Sequence, residues 1–168
     1  MEDVIINKVA SSGLITLDLE QLYNFGEGIA FDIAPFLFEN TFLKEKLFRE
    51  KVSSFAWEIF KEKNVAVFCS IDTIIPHWAY MIVINRIIPH AKVAIIGNLQ
   101  DLENHLYTNA ISHLDLNQYV NQKIVIKGCS SKIVPLIAYG EITRILTPIA
   151  ASIMFGEPCS TVPVFKRK

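Results

Sequence analysis

The chain lacks an excess of charge of either sign. Its 16 Lys and Arg residues stand against 17 Asp and Glu, a net charge of −1 over 168 residues. Nucleic-acid binding needs a basic face to neutralise phosphates, and no run of Lys and Arg supplies one locally. Only the end, Phe165 to Lys168, is basic, and a few charges at a terminus are ordinarily just solvated. No nucleic-acid partner is expected.

Long uninterrupted apolar runs are also missing. The most apolar region, Ile74 to Leu99, is broken by Pro76, His77, Asn85, Arg86, Pro89, His90 and Lys92. A membrane span needs roughly 20 mostly apolar residues, so this region reads as a buried helix followed by a buried strand. Met1-Glu2-Asp3 is acidic where a signal peptide would be basic,. The expectation is a cytoplasmic protein without membrane contact.

Cysteine is scarce and odd in number, with three residues. Structural disulfides are not expected in a reducing compartment, which leaves free, metal-binding or reactive thiols. There is no CxxC pair, no glycine-rich phosphate loop, no HExxH and no GxSxG. The familiar hydrolase, zinc-protease and nucleotide-binding signatures are thereby excluded.

What the chain does have is apolar mass, 51% by composition, with 11 Phe. Ile15 to Glu20 alternates apolar and polar, as does Ile29 to Ile33, and both read as half-exposed strands paired across Gly26-Glu27-Gly28. Phe42 to Lys51 turns helical, with Leu43 and Leu47 on one face. Ser53 and Ser54 are placed to cap a turn carrying Phe55, Trp57 and Phe60. A short apolar strand, Val65 to Phe68, precedes Cys69-Ser70. Pro76 opens a helix that Pro89 closes, and Val93 to Ile96 forms the next strand before Gly97. Asn98 then caps a helix in which Leu102, Leu106, Ala110 and Leu114 recur every four residues.

The order repeats at a displacement of about 59 residues. Leu43 falls on Leu102, Pro76 on Pro135, Ala79 on Ala138, Tyr80 on Tyr139, Pro89 on Pro148 and Gly97 on Gly156. Val65–Phe68 meets Ile124–Lys127, and Cys69-Ser70 meets Cys129-Ser130 with a one-residue offset at Gly128. The reading is one α/β domain: a mostly parallel sheet flanked by helices, built from two repeated helix-strand-helix-strand units, with an N-terminal strand pair. Residues 1–40 would carry the N-terminal strands, 41–98 and 99–156 the two repeats, and 157–168 a C-terminal tail. If the repeats meet at their first strands, Cys69 and Cys129 end neighbouring strands about 4.8 Å apart, in the crevice where such sheets bind ligands.

A third pair, Cys159-Ser160, follows the last strand, on the same edge. Four readings of the pairs stay open. Each Cys is a small apolar core residue. The thiols lie beside helix N-termini and act as nucleophiles or redox groups. Cys69, Cys129 and Cys159, with Glu157, His77 or His90 as a fourth ligand, hold zinc or an iron–sulfur cluster. Or Ser70, Ser130 and Ser160 bind a small anion with backbone amides. Asp72 in the first loop and Glu141 in the second helix are candidate bases, each also read as a solvated face or a cap. His77 adjoins the crevice, whereas His90, His105 and His113 read as surface residues. Tyr80 and Tyr139 read as core packing with a polar partner for the phenol. The half-exposed N-terminal strands leave a non-catalytic interaction role open, homo-oligomerisation included.

Four stretches carry a resemblance over essentially the whole chain. They are Asn7 to Glu20, Pro76-His77-Trp78-Ala79-Tyr80-Met81, Lys127-Gly128-Cys129-Ser130 and Ser152 to Pro163. They resemble the Bacteroidetes-type domain of unknown function 2480 family. The resemblance implies a small intracellular protein and brings no established activity or catalytic residue with it. It also implies an association with iron–sulfur cluster assembly genes, which favours a sulfur or metal role for the cysteines and assembly proteins as partners.

Overall fold

The computed structural model describes residues 13–128, 134–157 and 159–168. The chain divides into two compact units, one formed by Phe25–Leu106 and the other by Met1–Asn24 with Tyr107–Lys168. The class is mixed α/β, with two mostly parallel sheets.

In the Phe25–Leu106 unit, strands β2 (Gly28–Asp32), β3 (Asn64–Phe68) and β4 (Val93–Ile96) form a parallel sheet in the order β2-β3-β4. β3 is central and almost wholly buried because its apolar run is covered on both faces,. Val65 and Val67 point into a cluster with Ile33, Phe36, Phe48, Val52, Trp57 and Phe60, joined by Ala79, Val83 and Ile87. Helices α1 (Glu45–Ser54) and α2 (His77–Ile87) supply much of that face. Ala66 points the other way, to Leu102 and Leu106 of helix α3 (Leu99–Ser112). Phe31 stands among four rings, Phe36, Phe55, Trp57 and Phe60, with centroids 5.1 to 5.6 Å away. The buried Trp57 indole donates to the Val52 carbonyl at 2.9 Å, so its burial leaves no orphaned donor,.

In the other unit, β1 (Leu14–Asp18), β5 (Lys123–Lys127) and β6 (Ser152–Glu157) run parallel. β7 (Ser160–Lys166) pairs antiparallel with β6 and closes the order β1-β5-β6-β7. Helix α4 (Leu136–Leu146) buries Ala138, Ile142 and Leu146.

The 59-residue displacement reappears in the backbone. β3 and β5, and α2 and α4, have the same bounds shifted by 59, and β4 and β6 begin at the same shift. Glu62 and Asn121 both take positive φ, 59° and 57°. Their N–H groups donate to His90 and Ile149 carbonyls at 3.0 and 2.8 Å. Lys92 donates to Lys63, and Ala151 to Gln122, each at 2.8 Å.

Several expectations need correction. The N-terminal strands do not pair with each other. β1 lies parallel to β5 and β2 parallel to β3, in different sheets. Alternation reports a half-exposed strand but carries no information about its partner. The first strands of the two repeats do not meet either, because each already has neighbours on both sides: β3 has β2 and β4, β5 has β1 and β6. Residues 157–168 are not a tail, since most of them form β7. Ser53 and Ser54 do not cap the next turn; their hydroxyls donate back to the Glu50 and Lys51 carbonyls at the end of α1. Asn98 does cap α3, accepting from the N–H groups of Gln100 and Asp101,.

Candidate functional site

The carboxyl edge of the β2-β3-β4 sheet is organised by a residue that the sequence analysis passed over. Asp32 ends β2, and its Oδ1 accepts from the Ala34 N–H at 2.9 Å, which turns the chain into the short 3-10 helix Ala34–Phe36. The same oxygen accepts from the Ser70 N–H at 3.0 Å, and Oδ2 accepts from the Ser70 hydroxyl at 2.5 Å. Burial pushes the Asp32 carboxyl up, but the hydrogen bonds from Ser70 and Ala34 outweigh it and hold the group below its ordinary value,. A carboxylate with three donors is a weak base. Its role here is to fasten the segment after β3 onto the end of β2.

That fastening fixes Cys69, which lies between Phe68 and Ser70. Cys69 is half-buried against the aromatic-aliphatic cluster, with Sγ 3.6 Å from the Ile71 carbonyl. Tyr80, one turn into α2, is affected by the same group of residues. Burial, then the charges of Cys69 and Asp32, push its phenol up. Asp72 and His77 are exposed. The Ser70 hydroxyl already gives its only hydrogen to Asp32, so it has none to offer an anion, and the adjacent carboxylate repels one.

The other sheet shows a related edge. Asp18 ends β1 and its Oδ1 accepts from the Glu20 N–H at 3.0 Å, opening the 3-10 helix Leu19–Leu22 as Asp32 opens its own. Lys127, at the end of β5, sits 3.4 Å from Asp18 Oδ2 and 3.9 Å from Glu157 Oε1. The buried Gly128 carbonyl accepts the Tyr139 hydroxyl at 2.8 Å. Cys129 and Ser130 lie outside the described residues. Cys159 and Ser160 are exposed where β6 turns into β7. Gly156, within β6, takes φ 121°, and a Cβ there would come within 2.6 Å of the Ser160 carbonyl oxygen.

The predicted residues therefore fall into two sets. Cys69 and Ser70 lie with Asp32 and Tyr80 in one unit, while in the other Glu157 approaches Lys127, which also pairs with Asp18. Glu141 is held by Arg144 at 2.7 Å and is not placed as a base. Among the described residues, no group of three His, Cys, Asp or Glu side chains is arranged to hold a metal ion. Asp18 and Asp32 do not stand out where a strand is recognised by its apolar positions alone. The available signal was an Asp ending a strand two residues before an N–H that it could accept, the Asx-turn pattern.

The α4 unit also carries an apolar pocket of about 310 Å³, lined by Ile126, Leu136, Tyr139, Thr143, Phe155 and Val164. Among the described residues, no helix is long and apolar enough to cross a membrane.

The family described as Protein of unknown function (DUF2480) matches residues 3–167. The chain belongs to this family. No curated protein and no solved structure matches it. Membership agrees with the resemblance carried by the Pro76–Met81 and Ser152–Pro163 stretches, and it assigns no chemistry to either edge.

Proposed function

We propose that this member of the family is a sulfur-handling accessory protein that works through the Cys69 thiol. The observation that carries this reading is the position of Cys69. It directly follows the buried central strand β3 and is held by the adjacent Ser70–Asp32 bonds. A half-buried thiol held at the carboxyl edge of a parallel sheet has a fixed position, which suits a group that must accept sulfur from a donor. In this reading a Cys69 thiolate takes the outer sulfur of a persulfide donor, and the donor leaves as a thiolate. The metal form of the reading, zinc or an iron–sulfur cluster shared by Cys69, Cys129 and Cys159, is the second form of the same proposal. Cytoplasmic residence and iron–sulfur assembly proteins as partners belong to the same proposal. We also read the 59-residue correspondence as a duplication.

The test is anaerobic incubation with a low-molecular-weight persulfide, followed by intact mass and peptide mapping. The expected result is one added sulfur atom on Cys69, lost in Cys69→Ser. Protein that takes no sulfur, and carries neither metal nor sulfide when purified anaerobically, sinks both forms.

Two other readings have less behind them. A small anionic metabolite held by Ser70 and Ser130 conflicts with the use of the Ser70 hydroxyl by Asp32. An interaction role is favoured by one observation, the exposed Leu136, Val162 and Val164 around the apolar pocket of the α4 unit.

A further inference from the structure

Helices α1 and α2 border a groove of about 620 Å³, lined by Arg49 from α1 and by Trp78, Met81, Ile82, Asn85 and Arg86 from α2. Two of these six residues are arginines and none is acidic, in a chain whose net charge is −1. The groove is therefore a local basic site rather than a sample of the general surface. Trp78 is half-buried against the core and meets Phe48 edge-on at 6.0 Å, so packing holds the indole in place. The Arg49 guanidinium lies 5.4 Å from that ring, a contact that steadies it at one end of the groove,. Arg86 stands at the other end, two turns and so about 12 Å along α2 from Trp78. Met81, 65% exposed, lies between them.

We propose that this groove binds an acidic amphipathic helix of a partner protein, one that carries a carboxylate at each end of a short apolar stripe. Neither guanidinium is used up within the chain. Arg49 gives only its Nε–H to Glu45, at 2.9 Å, and both members of that pair are mostly exposed. Such a pair contributes little and leaves the terminal nitrogens for a second carboxylate. Arg86 has no ion-pair partner among the described residues, and the Asn85 amide makes no hydrogen bond among them. A guanidinium meets a carboxylate through two parallel bonds, and Arg and Met are both enriched where proteins contact one another.

Charge and spacing together select this occupant. A lone phosphate or carboxylate reaches one arginine only and gains nothing from the apolar middle. About 12 Å is close to two turns of helix, so acidic residues seven or eight positions apart on a partner helix face Arg49 and Arg86 together. Apolar residues three and four positions after the first acid then lie over Met81 and Ile82, as in other helix-in-groove contacts. Nucleic acid needs a broader basic face than two arginines provide. A second copy of the chain fits poorly, because an isologous contact needs both members of each charge pair on one surface and this groove offers no carboxylate,.

The experiment is fluorescence anisotropy of a labelled synthetic helical peptide titrated with the full chain, with far-UV circular dichroism confirming that each variant is folded. The peptide carries two Glu residues about two helical turns apart and Leu at the third and fourth positions after the first Glu; its control has Gln in place of Glu. Saturable binding of the Glu peptide is expected, with a Kd of about 10–100 μM. Arg86→Glu should weaken it about tenfold, and the Gln control by a similar factor. Arg49→Gln and Met81→Ser should weaken it too, whereas Glu45→Gln, which removes the competing carboxylate, should tighten it. Leu136→Lys, on the other unit's apolar surface, should leave binding unchanged. A Glu peptide that does not bind below about 1 mM overturns the proposal. So does a Gln peptide that binds equally well, or binding indifferent to both arginine variants. Sedimentation velocity that shows a wild-type dimer dissociated by Arg86→Glu would give the groove to a second copy instead.

Discussion

Asp32 holds Ser70 from 38 positions away in sequence, accepting its N–H at 3.0 Å and its hydroxyl at 2.5 Å. The bonds join the ends of two neighbouring parallel strands at the point where the ladder between them stops. A hydrogen bond to a charged acceptor contributes about 1.5–3 kcal/mol, and an acceptor left unsatisfied costs a similar amount. Ser70→Ala removes one of the three bonds to Asp32 and should cost about 1–2 kcal/mol. Asp32→Ala removes all three and should cost about 2–4 kcal/mol by the same scale. Because Ser70 acts through Asp32, the double variant should be little worse than Asp32→Ala alone. Urea unfolding of the four proteins in a double-mutant cycle measures this; additive losses would show that the two residues do not act together.

The same carboxylate sets an acid limit. In the folded chain Asp32 lies below its ordinary value, so its contribution is fully present above the unfolded aspartate value of about 3.9,. That contribution disappears as pH falls below this point and through the folded value. Thermal midpoints should therefore fall on acidification below about pH 4. Asp32→Asn, which cannot titrate, should start less stable and show a shallower decline. A variant whose midpoint tracks the wild type in parallel through that range would remove Asp32 as a source of acid sensitivity.

Much of the layer structure is legible from apolar spacing. The strands at Val65–Phe68, Val93–Ile96 and Ile124–Lys127, and the helix between Pro76 and Pro89, follow from short apolar runs and from proline's place at helix starts. Sheet membership is not legible in the same way. Leu14–Asp18 and Gly28–Asp32 have the same half-exposed alternation, and nothing within either says that one joins β5 and the other β3. Partner choice depends on contacts distant in sequence. At the site, the Cys-Ser pairs draw the eye because cysteine is rare. The residue that organises the edge is an aspartate, one of the commoner surface types, and its importance appears only when Ser70 is brought to it. Lys127 is similar, since its place between Asp18 and Glu157 requires β1, β5 and β6 to be adjacent.

Gly128 and Tyr139 should be coupled energetically. A Cβ at Gly128 would lie 2.9 Å from the Tyr139 hydroxyl oxygen and 3.2 Å from both Leu19 Cβ and Val134 Cγ2. Gly128→Ala overpacks this point and should cost about 1–3 kcal/mol. Tyr139→Phe loses the bond to the Gly128 carbonyl and should cost about 1 kcal/mol. Combined, the two should cost less than their sum, because removing the hydroxyl clears the tightest contact. The recovery should be partial, since Leu19 and Val134 stay where they are. Chemical denaturation of the single and double variants decides it, and a loss equal to or larger than the sum would place the strain elsewhere.

The corresponding turns before β3 and β5 offer a comparison within one chain. Glu62 and Asn121 both sit in the left-handed region, at φ 59° and 57°, where a side chain with a Cβ costs about 1–2 kcal/mol,. Glycine relieves that strain but makes the unfolded chain freer by about 0.4–1 kcal/mol. For Glu62 the balance favours glycine, because its ion pair with Lys92, 3.6 Å apart and mostly exposed, contributes little,. Glu62→Gly should therefore stabilise the protein by about 0.5–1 kcal/mol. Asn121 differs on two counts. Asparagine tolerates the left-handed region better than glutamate does, and its Oδ1 accepts from Arg167 at 2.8 Å,. Asn121→Gly should be neutral or destabilising, with the lost bond to Arg167 loosening the end of β7. Thermal unfolding of the two variants side by side gives the order. Equal stabilisation at both positions would mean that the Arg167 contact contributes nothing in solution.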